Sequence, residues 1–132
     1  PAGSTHLSFT PVLVPMSRGI LATVTAPLTP ALREIPDPEA AVRTAWETAY
    51  GASGRGESLI HLLPEGTWPA TGTVGSGTAS VQVAIDRDAD TVVAMCAVDN
   101  LGKGTAGAAL QSLNLALGLE ETTAITTQGV AP

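Results

Sequence analysis

The side chains best suited to chemistry stand where an apolar run gives way to a helical pattern. Asp99 and Asn100 follow the β-like run from Thr91 to Val98 and precede a segment, 103–117, which begins at Lys103 and has leucines at helical spacing. A carboxylate and an amide at such a junction can face a ligand, and the free N–H groups of a helix start suit an anion. The alternative is close packing of the helix on the sheet, which the small residues at its start equally permit.

Arg18 is the second candidate because it stands alone at a predicted bend between Met16 and Gly19. A guanidinium in such a place can bind a carboxylate or a phosphate through paired N–H donors. The alternative is a solvated or intramolecular ion pair.

The sequence gives less support to a nucleophile or an acid–base residue than to the two candidates above. Cys96 is the single thiol, but it lies within the apolar run, where burial would raise its pKa, so we expect a core residue. His6 and His61 have no recognisable partner in sequence, and surface or structural histidines are the better interpretation. We therefore expect no catalytic residue in this chain.

Cofactor and metal motifs are missing from the sequence. No Gly-x-Gly-x-x-Gly follows a strand with an acidic residue about twenty positions on, so we expect no dinucleotide fold. The glycine-rich stretch 72–77 lacks the lysine and helix of a phosphate loop. One cysteine and two distant histidines do not predict a metal site.

Length and composition indicate one soluble domain over residues 1–132, with an apolar fraction of 44% and a formal charge of −6. The acidic balance argues against nucleic acid or an anionic membrane as partner. No run is long enough to span a membrane, no signal peptide is evident, and the single cysteine fits a reducing compartment, so we expect a cytoplasmic protein. Because the chain starts at Pro1 without Met, we expect a fragment.

The periodicities predict strands, a helix, further strands and a last helix. The predicted elements are strands at 6–15 and 19–25, a bend at 16–19, a helical turn at 31–34, a helix at 38–50 capped by Asp37, a turn at 53–57, a strand at 59–63, a loop at 65–77, a hairpin of 80–85 with 91–98 through a turn at 86–90, a helix at 103–117 ended by Gly118, and a polar tail from Glu120. This order predicts an α+β domain with a mixed, largely antiparallel sheet and helices on one face.

Two blocks carry a family resemblance. The run Asp-Asn-Leu-x-Lys-Gly-x-Ala-Gly-x-Ala-x-Gln-x-x-Asn, from Asp99 to Asn114, and the run from Phe9 to Thr23, Phe-Thr-Pro-Val-Leu-Val-Pro-Met-Ser-Arg-Gly-Ile-Leu-Ala-Thr, resemble N-acetyl-γ-glutamyl-phosphate reductases of arginine biosynthesis, in the same order. The resemblance implies the substrate and dimerisation domain of the glyceraldehyde-3-phosphate-dehydrogenase-like class.

The resemblance also implies what this domain does within a two-domain enzyme. NADPH would reduce an acyl phosphate to a semialdehyde through a thioester on a cysteine upstream of this chain, together with an upstream histidine. Asn100 matches the asparagine that faces the nicotinamide, with Leu101 and Gly104 in the same cofactor motif, and Arg18 would shape the substrate side. Implied partners are an N-terminal dinucleotide-binding domain and a second copy, joined through the sheet. The isolated chain would be inactive.

Two other interpretations remain open. The chain could be an interaction module that keeps the sheet without chemistry, or part of a related aspartate-semialdehyde dehydrogenase, which shares the Asp-Asn-Leu-x-Lys-Gly element. If it is an excised reductase domain, we expect the outer face of the last helix to be unusually apolar, since it would pack on the cofactor domain.

Overall fold

The computed structural model describes residues 6–51 and 57–130. Apart from the strand predicted at 6–15, which is missing, its strands and helices follow the predicted order. They are β1 (Ile20–Pro27), α1 (Pro30–Arg33), α2 (Pro38–Tyr50), β2 (Ile60–Leu62), a 3-10 turn (Thr71–Thr73), β3 (Ala79–Asp86), β4 (Thr91–Val98), a π-helical turn (Gly102–Ala106) and α3 (Gly107–Ala116).

The four strands form one sheet in the order β1-β4-β3-β2. β3 and β4 make the predicted hairpin, with Val81 opposite Cys96, and β1 pairs antiparallel with the other side of β4, with Ala22 opposite Cys96. β2 adds parallel to β3, with Ile60 opposite Ala79. The prediction of a mixed, largely antiparallel sheet is therefore confirmed.

Helix α2 begins and ends where its local signals predict. The Asp37 side chain accepts a hydrogen bond from the Ala40 N–H at 3.0 Å, and Pro38 occupies the first turn, where a missing N–H costs nothing. The helix ends before Gly51, whose N–H bonds to the Glu47 carbonyl. It packs against β2 and β3 and covers that end of the sheet.

The first predicted strand, at 6–15, is wrong. Residues 6–15 form no strand in the structure and are exposed, including Phe9 and Leu13, and the chain bends at 15–18 before β1. Pro11 and Pro15 lack the N–H donors that a ladder needs, which fits this outcome. The predicted turn at 53–57 falls mostly on residues 52–56, which lie outside the described residues.

The polar tail predicted from Glu120 folds back instead of extending into solvent. Gly77 N–H bonds to the Thr126 carbonyl at 2.7 Å, and Val130 N–H bonds to the Val74 carbonyl at 2.9 Å. Asn114, buried on α3, donates to the carbonyls of residues 121 and 123 at 3.0 and 2.9 Å. The tail thus holds the loop at 72–77 against the start of the last helix.

Candidate functional site

The Asp99 carboxylate is the centre of the site, and it is fully buried. Its Oδ1 accepts hydrogen bonds from the N–H groups of Leu101 at 2.8 Å and Gly102 at 2.9 Å. Its Oδ2 accepts from the Gly75 N–H and from Arg18 Nη2, the latter at 2.7 Å. With two bonds on each oxygen, the carboxylate has no position left for a ligand, so the expectation that Asp99 faces one is wrong.

The pKa of Asp99 is held well below its usual range by these donors. The Arg18 guanidinium is the main cause, burial opposes it, and the N–H groups of Gly75, Gly102 and Leu101 add to the lowering. Asp99 is therefore an anion that organises the turn, and it is unsuited to act as a general base.

Arg18 lies at the predicted bend and makes an intramolecular ion pair. Nη2 is on Asp99, while Nε is buried and has no hydrogen-bond partner within residues 6–51 and 57–130. Since all acceptor positions of Asp99 are filled, Nε has no oxygen of that carboxylate to use. About a third of the Arg18 side chain remains exposed, so part of the guanidinium can still reach solvent or a ligand.

Asn100 is tied to the same bend by its oxygen. The Gly19 N–H donates to Asn100 Oδ1 at 2.8 Å, across 81 residues of sequence. Gly19 has a φ of +110°, a conformation that favours glycine. The two blocks that carry the family resemblance therefore meet in space, at Arg18–Asp99 and at Gly19–Asn100.

The helix start after Asp99 is wound more widely than an α-helix. Gly104 N–H bonds to the Asp99 carbonyl at 2.9 Å and Ala106 N–H to the Leu101 carbonyl at 3.0 Å, both five residues back. Such π turns are frequent at functional sites. Leu101 and Gly104 are exposed here, whereas Lys103 Nζ is bonded to Gln111 Oε1 at 2.6 Å.

Close packing explains the glycine at position 102. A Cβ there would lie 2.1 Å from the Ser76 carbonyl oxygen, and one at Gly107 would lie 2.9 Å from the Gly102 carbonyl oxygen. Of the two interpretations of this small-residue helix start, packing against a second backbone is the one observed at Gly102.

We expect Gly102→Ala to lower the free energy of unfolding by about 2 kcal/mol, because the new methyl group meets rigid backbone. Urea unfolding followed by circular dichroism measures this. Gly72→Ala is the matched control, since a Cβ at Gly72 meets nothing within 4 Å. Equal stability of the two variants would contradict the close approach.

The remaining nucleophile and acid–base candidates stay apart from the site. Cys96 lies half-buried in the middle strand β4, and burial raises the pKa of its thiol. His61 lies on β2 and His6 near the described start, both exposed. Cys96 is thus a residue of the sheet, only half-buried and not part of the fully buried core that was predicted for it.

Cys96 is expected to react slowly with iodoacetamide at pH 8, because its raised pKa leaves little thiolate. Mass spectrometry of the time course, beside the same protein in 6 M guanidinium as the fully exposed reference, measures this. Equal rates in the two conditions would mean that the thiol is not protected by the sheet.

An apolar cleft of about 130 Å³ adjoins the bend. Its lining includes Met16 and Gly19 at the bend, Val98 at the end of β4, and Pro69 and Val74 from the loop before β3. The cleft therefore brings the loop at 69–74, which sequence reasoning left without a role, next to Gly19.

The structure also shows partners of the site that sequence reasoning missed. Gly75 supplies a backbone N–H to Asp99, and the Ser76 carbonyl accepts from the Lys103 N–H at 3.3 Å. Backbone donors carry no residue-type signal, so only the excess of glycine in 72–77 could have pointed to this loop.

Large apolar side chains are exposed on both sides of the site. Leu113, Leu115 and Leu117, on the last helix and at its end, are each more than half exposed. The expectation of an apolar outer face on this helix stays a prediction. All residues of β1 are exposed as well. Surfaces of this kind mark places where another body packs.

Within residues 6–51 and 57–130, no three or more His, Cys, Asp or Glu side chains are grouped so as to hold a metal ion. In that same part of the chain, no helix has both the length and the apolar character that crossing a membrane requires.

Most of the chain matches a known protein family. The model for the semialdehyde dehydrogenase dimerisation domain matches residues 2–100, which include β1 to β4 and the Arg18, Asp99 and Asn100 positions. The chain belongs to this family. This match, together with the relatives that follow, confirms the resemblance found in the two sequence blocks.

The similar curated relatives carry one name. N-acetyl-γ-glutamyl-phosphate reductases of Thermobifida fusca and Saccharopolyspora erythraea are 56% and 57% identical over 128 residues, and that of Streptomyces coelicolor is 54% identical over 127. Each match covers 96% of this chain but only 34–35% of the relative. The chain therefore spans about a third of the length of these reductases.

Proposed function

We propose that this chain is the C-terminal portion of an N-acetyl-γ-glutamyl-phosphate reductase of arginine biosynthesis. The observation that carries the proposal is the identity of 54–57% to reductases over 96% of the chain. The reaction consumes N-acetyl-glutamyl 5-phosphate, NADPH and a proton, and releases N-acetyl-glutamate 5-semialdehyde, NADP and phosphate.

The cofactor supplies the hydride, and this chain would supply only one contact region for it. Within residues 6–51 and 57–130 the N–H donors of Asn100 have no partner, the residue is half-buried, and Leu101 and Gly104 are exposed beside it, which fits the edge of a bound nicotinamide. The rest of the cofactor site, with the nucleophilic cysteine, would belong to an N-terminal domain. The isolated chain is then inactive.

Arg18 would form the wall nearest the substrate. Its guanidinium is held by Asp99 at one nitrogen and is one-third exposed, so its remaining donors can take a carboxylate or phosphate oxygen. The apolar cleft beside Gly19 would accommodate the methylene groups of the glutamyl chain.

The exposed apolar surfaces would be covered in the complete protein. The sheet, with β1 at its edge, would pack on a second copy, in line with the family description as a dimerisation domain, and the outer face of α3 would pack on the cofactor domain. We further propose a cytoplasmic location.

The test is an assay of the full-length protein in the reverse direction. N-acetyl-glutamate semialdehyde, phosphate and NADP are supplied, and NADPH formation is followed at 340 nm, with NAD and with aspartate semialdehyde as comparisons. We expect turnover with the acetylated substrate and NADP. Turnover with aspartate semialdehyde alone would instead assign an aspartate-semialdehyde dehydrogenase, and no turnover with either would favour an interaction module.

A further inference from the structure

The segments 18–19 and 99–100 are joined by two adjacent links that close a ring. Arg18 Nη2 donates to Asp99 Oδ2 at 2.7 Å, and the Gly19 N–H donates to Asn100 Oδ1 at 2.8 Å. Because each segment contributes neighbouring residues, neither segment can slide along the other without breaking both links. The buried Asp99 anchors this ring to the loop at residue 75 and to the helix start.

The Gly19 N–H decides the orientation of the Asn100 amide. A side-chain amide offers one acceptor oxygen and two N–H donors. With Oδ1 on Gly19, the amide cannot flip, because the flipped form would place N–H against N–H. Asn100 Nδ2 donates to none of the described residues, so its two N–H groups are the available ones.

We infer that Asp99 is a positioning residue which, through Arg18 and Gly19, holds Asn100 with both amide N–H groups free, so that Asn100 meets its ligand as a hydrogen-bond donor. The ligand identity rests on the proposed function. Of the two polar groups of a nicotinamide carboxamide, a donor selects the carbonyl oxygen and leaves the NH2 group to other partners.

The donor assignment is tested with two cofactors in the full-length protein. 3-Acetylpyridine adenine dinucleotide phosphate keeps the carbonyl oxygen of NADP but has a methyl in place of the NH2 group. In the reverse reaction, Asn100→Ala should raise KM for both cofactors by a similar factor of about ten. A rise for NADP alone would mean that Asn100 accepts from the NH2 group, and would overturn the inference.

Asn100→Asp sharpens the same test because it keeps the size of the side chain. One oxygen can still accept from the Gly19 N–H, but the other replaces the free N–H groups and would face the carbonyl oxygen. We expect a larger rise in KM than for Asn100→Ala, with an unchanged melting temperature. A KM equal to that of the wild type would overturn the inference.

The positioning role of Asp99 is tested by combining variants. If Asp99 acts through Asn100, Asp99→Asn raises KM for NADP strongly in the wild type but less than about threefold in the Asn100→Ala background. Independent, multiplicative effects would overturn the role. Should Asp99→Asn fail to fold, Arg18→Gln breaks the same link from its exposed end and takes its place in the comparison.

The assay of the wild-type protein distinguishes failure of the proposed function from failure of the inference about Asn100. A full-length protein that turns over neither semialdehyde contradicts the proposed function, and the nicotinamide assignment is overturned with it. An active protein whose Asn100 variants keep the wild-type KM for NADP overturns the inference and leaves the proposed function standing. Asp88→Asn, which removes an exposed carboxylate in the turn between β3 and β4, controls for the change of charge.

Discussion

Asp99→Asn is expected to lower the free energy of unfolding by about 3–5 kcal/mol, although it removes no atom from the packing. The new NH2 group would stand where Oδ2 now accepts from Arg18 Nη2 and the Gly75 N–H, so donors would face donors. Arg18 Nε already lacks a partner among the described residues, and the loss of the ion pair would leave the guanidinium with a second unsatisfied group. Denaturant unfolding of the purified protein measures the loss.

The matched control is Asp88→Asn, which makes the same chemical change at an exposed position. Its effect should stay within about 0.5 kcal/mol. If the two variants were equally stable, the ion pair and the three backbone bonds at Asp99 would contribute nothing to the fold.

The same carboxylate gives the stability a dependence on acidic pH with a definite sign. Because the folded pKa of Asp99 lies below the ordinary value of 3.8, the unfolded chain takes up a proton first as pH falls. The stabilisation is complete above that value and is lost progressively below it. The difference in unfolding free energy between the wild type and Asp99→Asn should therefore narrow on going from pH 5 to pH 2.

Local signals explain why much of the fold could be predicted. The β3–β4 hairpin follows from alternating Val81, Val83 and Ile85, and α2 follows from Asp37 and Pro38, all of which act within a few residues of the chain. The segment 6–15 shows the limit of such reasoning. Its apolar residues are typical of a strand, but no strand in the described part of the chain pairs with them.

The candidate site was predictable in part, because its two halves lie in recognisable blocks. Arg18 and Asn100 were candidates from the residues alone, yet nothing local indicates that Gly19 meets Asn100 across 81 positions. The saturation of Asp99 depends on Gly75, a backbone donor whose residue type carries no information about the contact. Long-range pairing of this kind is a property of the fold.

Gln82 is another buried polar group of the fold. It alternates with Val81 and Val83 along β3, yet it is only 2% exposed. Its Nε2 donates to the carbonyls of Pro64 at 2.6 Å and Thr67 at 2.7 Å. Its Oε1 accepts from Arg43 Nη1 at 2.9 Å and from the Val83 N–H at 3.0 Å. Every donor and acceptor position of the amide is used.

Gln82→Leu should lower the free energy of unfolding by about 3 kcal/mol, since it keeps the volume but leaves several partners unpaired in the interior. The buried Val83 N–H would be left without an acceptor. Arg43 would keep its bonds to Glu47 and to the Leu63 carbonyl, which limits the loss of stability. Denaturant unfolding beside Gln128→Leu, the same change at an exposed position, measures the difference.

Gln82→Leu should loosen the loop 64–67 more than it loosens the rest of the fold. Gln82 bonds this loop to β3 at both of its ends, so amide hydrogen exchange there should accelerate in Gln82→Leu more than in the β3–β4 hairpin, whose ladder is untouched. Uniform acceleration across both regions would mean that the amide stabilises the fold without anchoring the loop. A loss below 1 kcal/mol with unchanged exchange would mean that the four bonds only replace those which Gln82 makes with water in the unfolded chain.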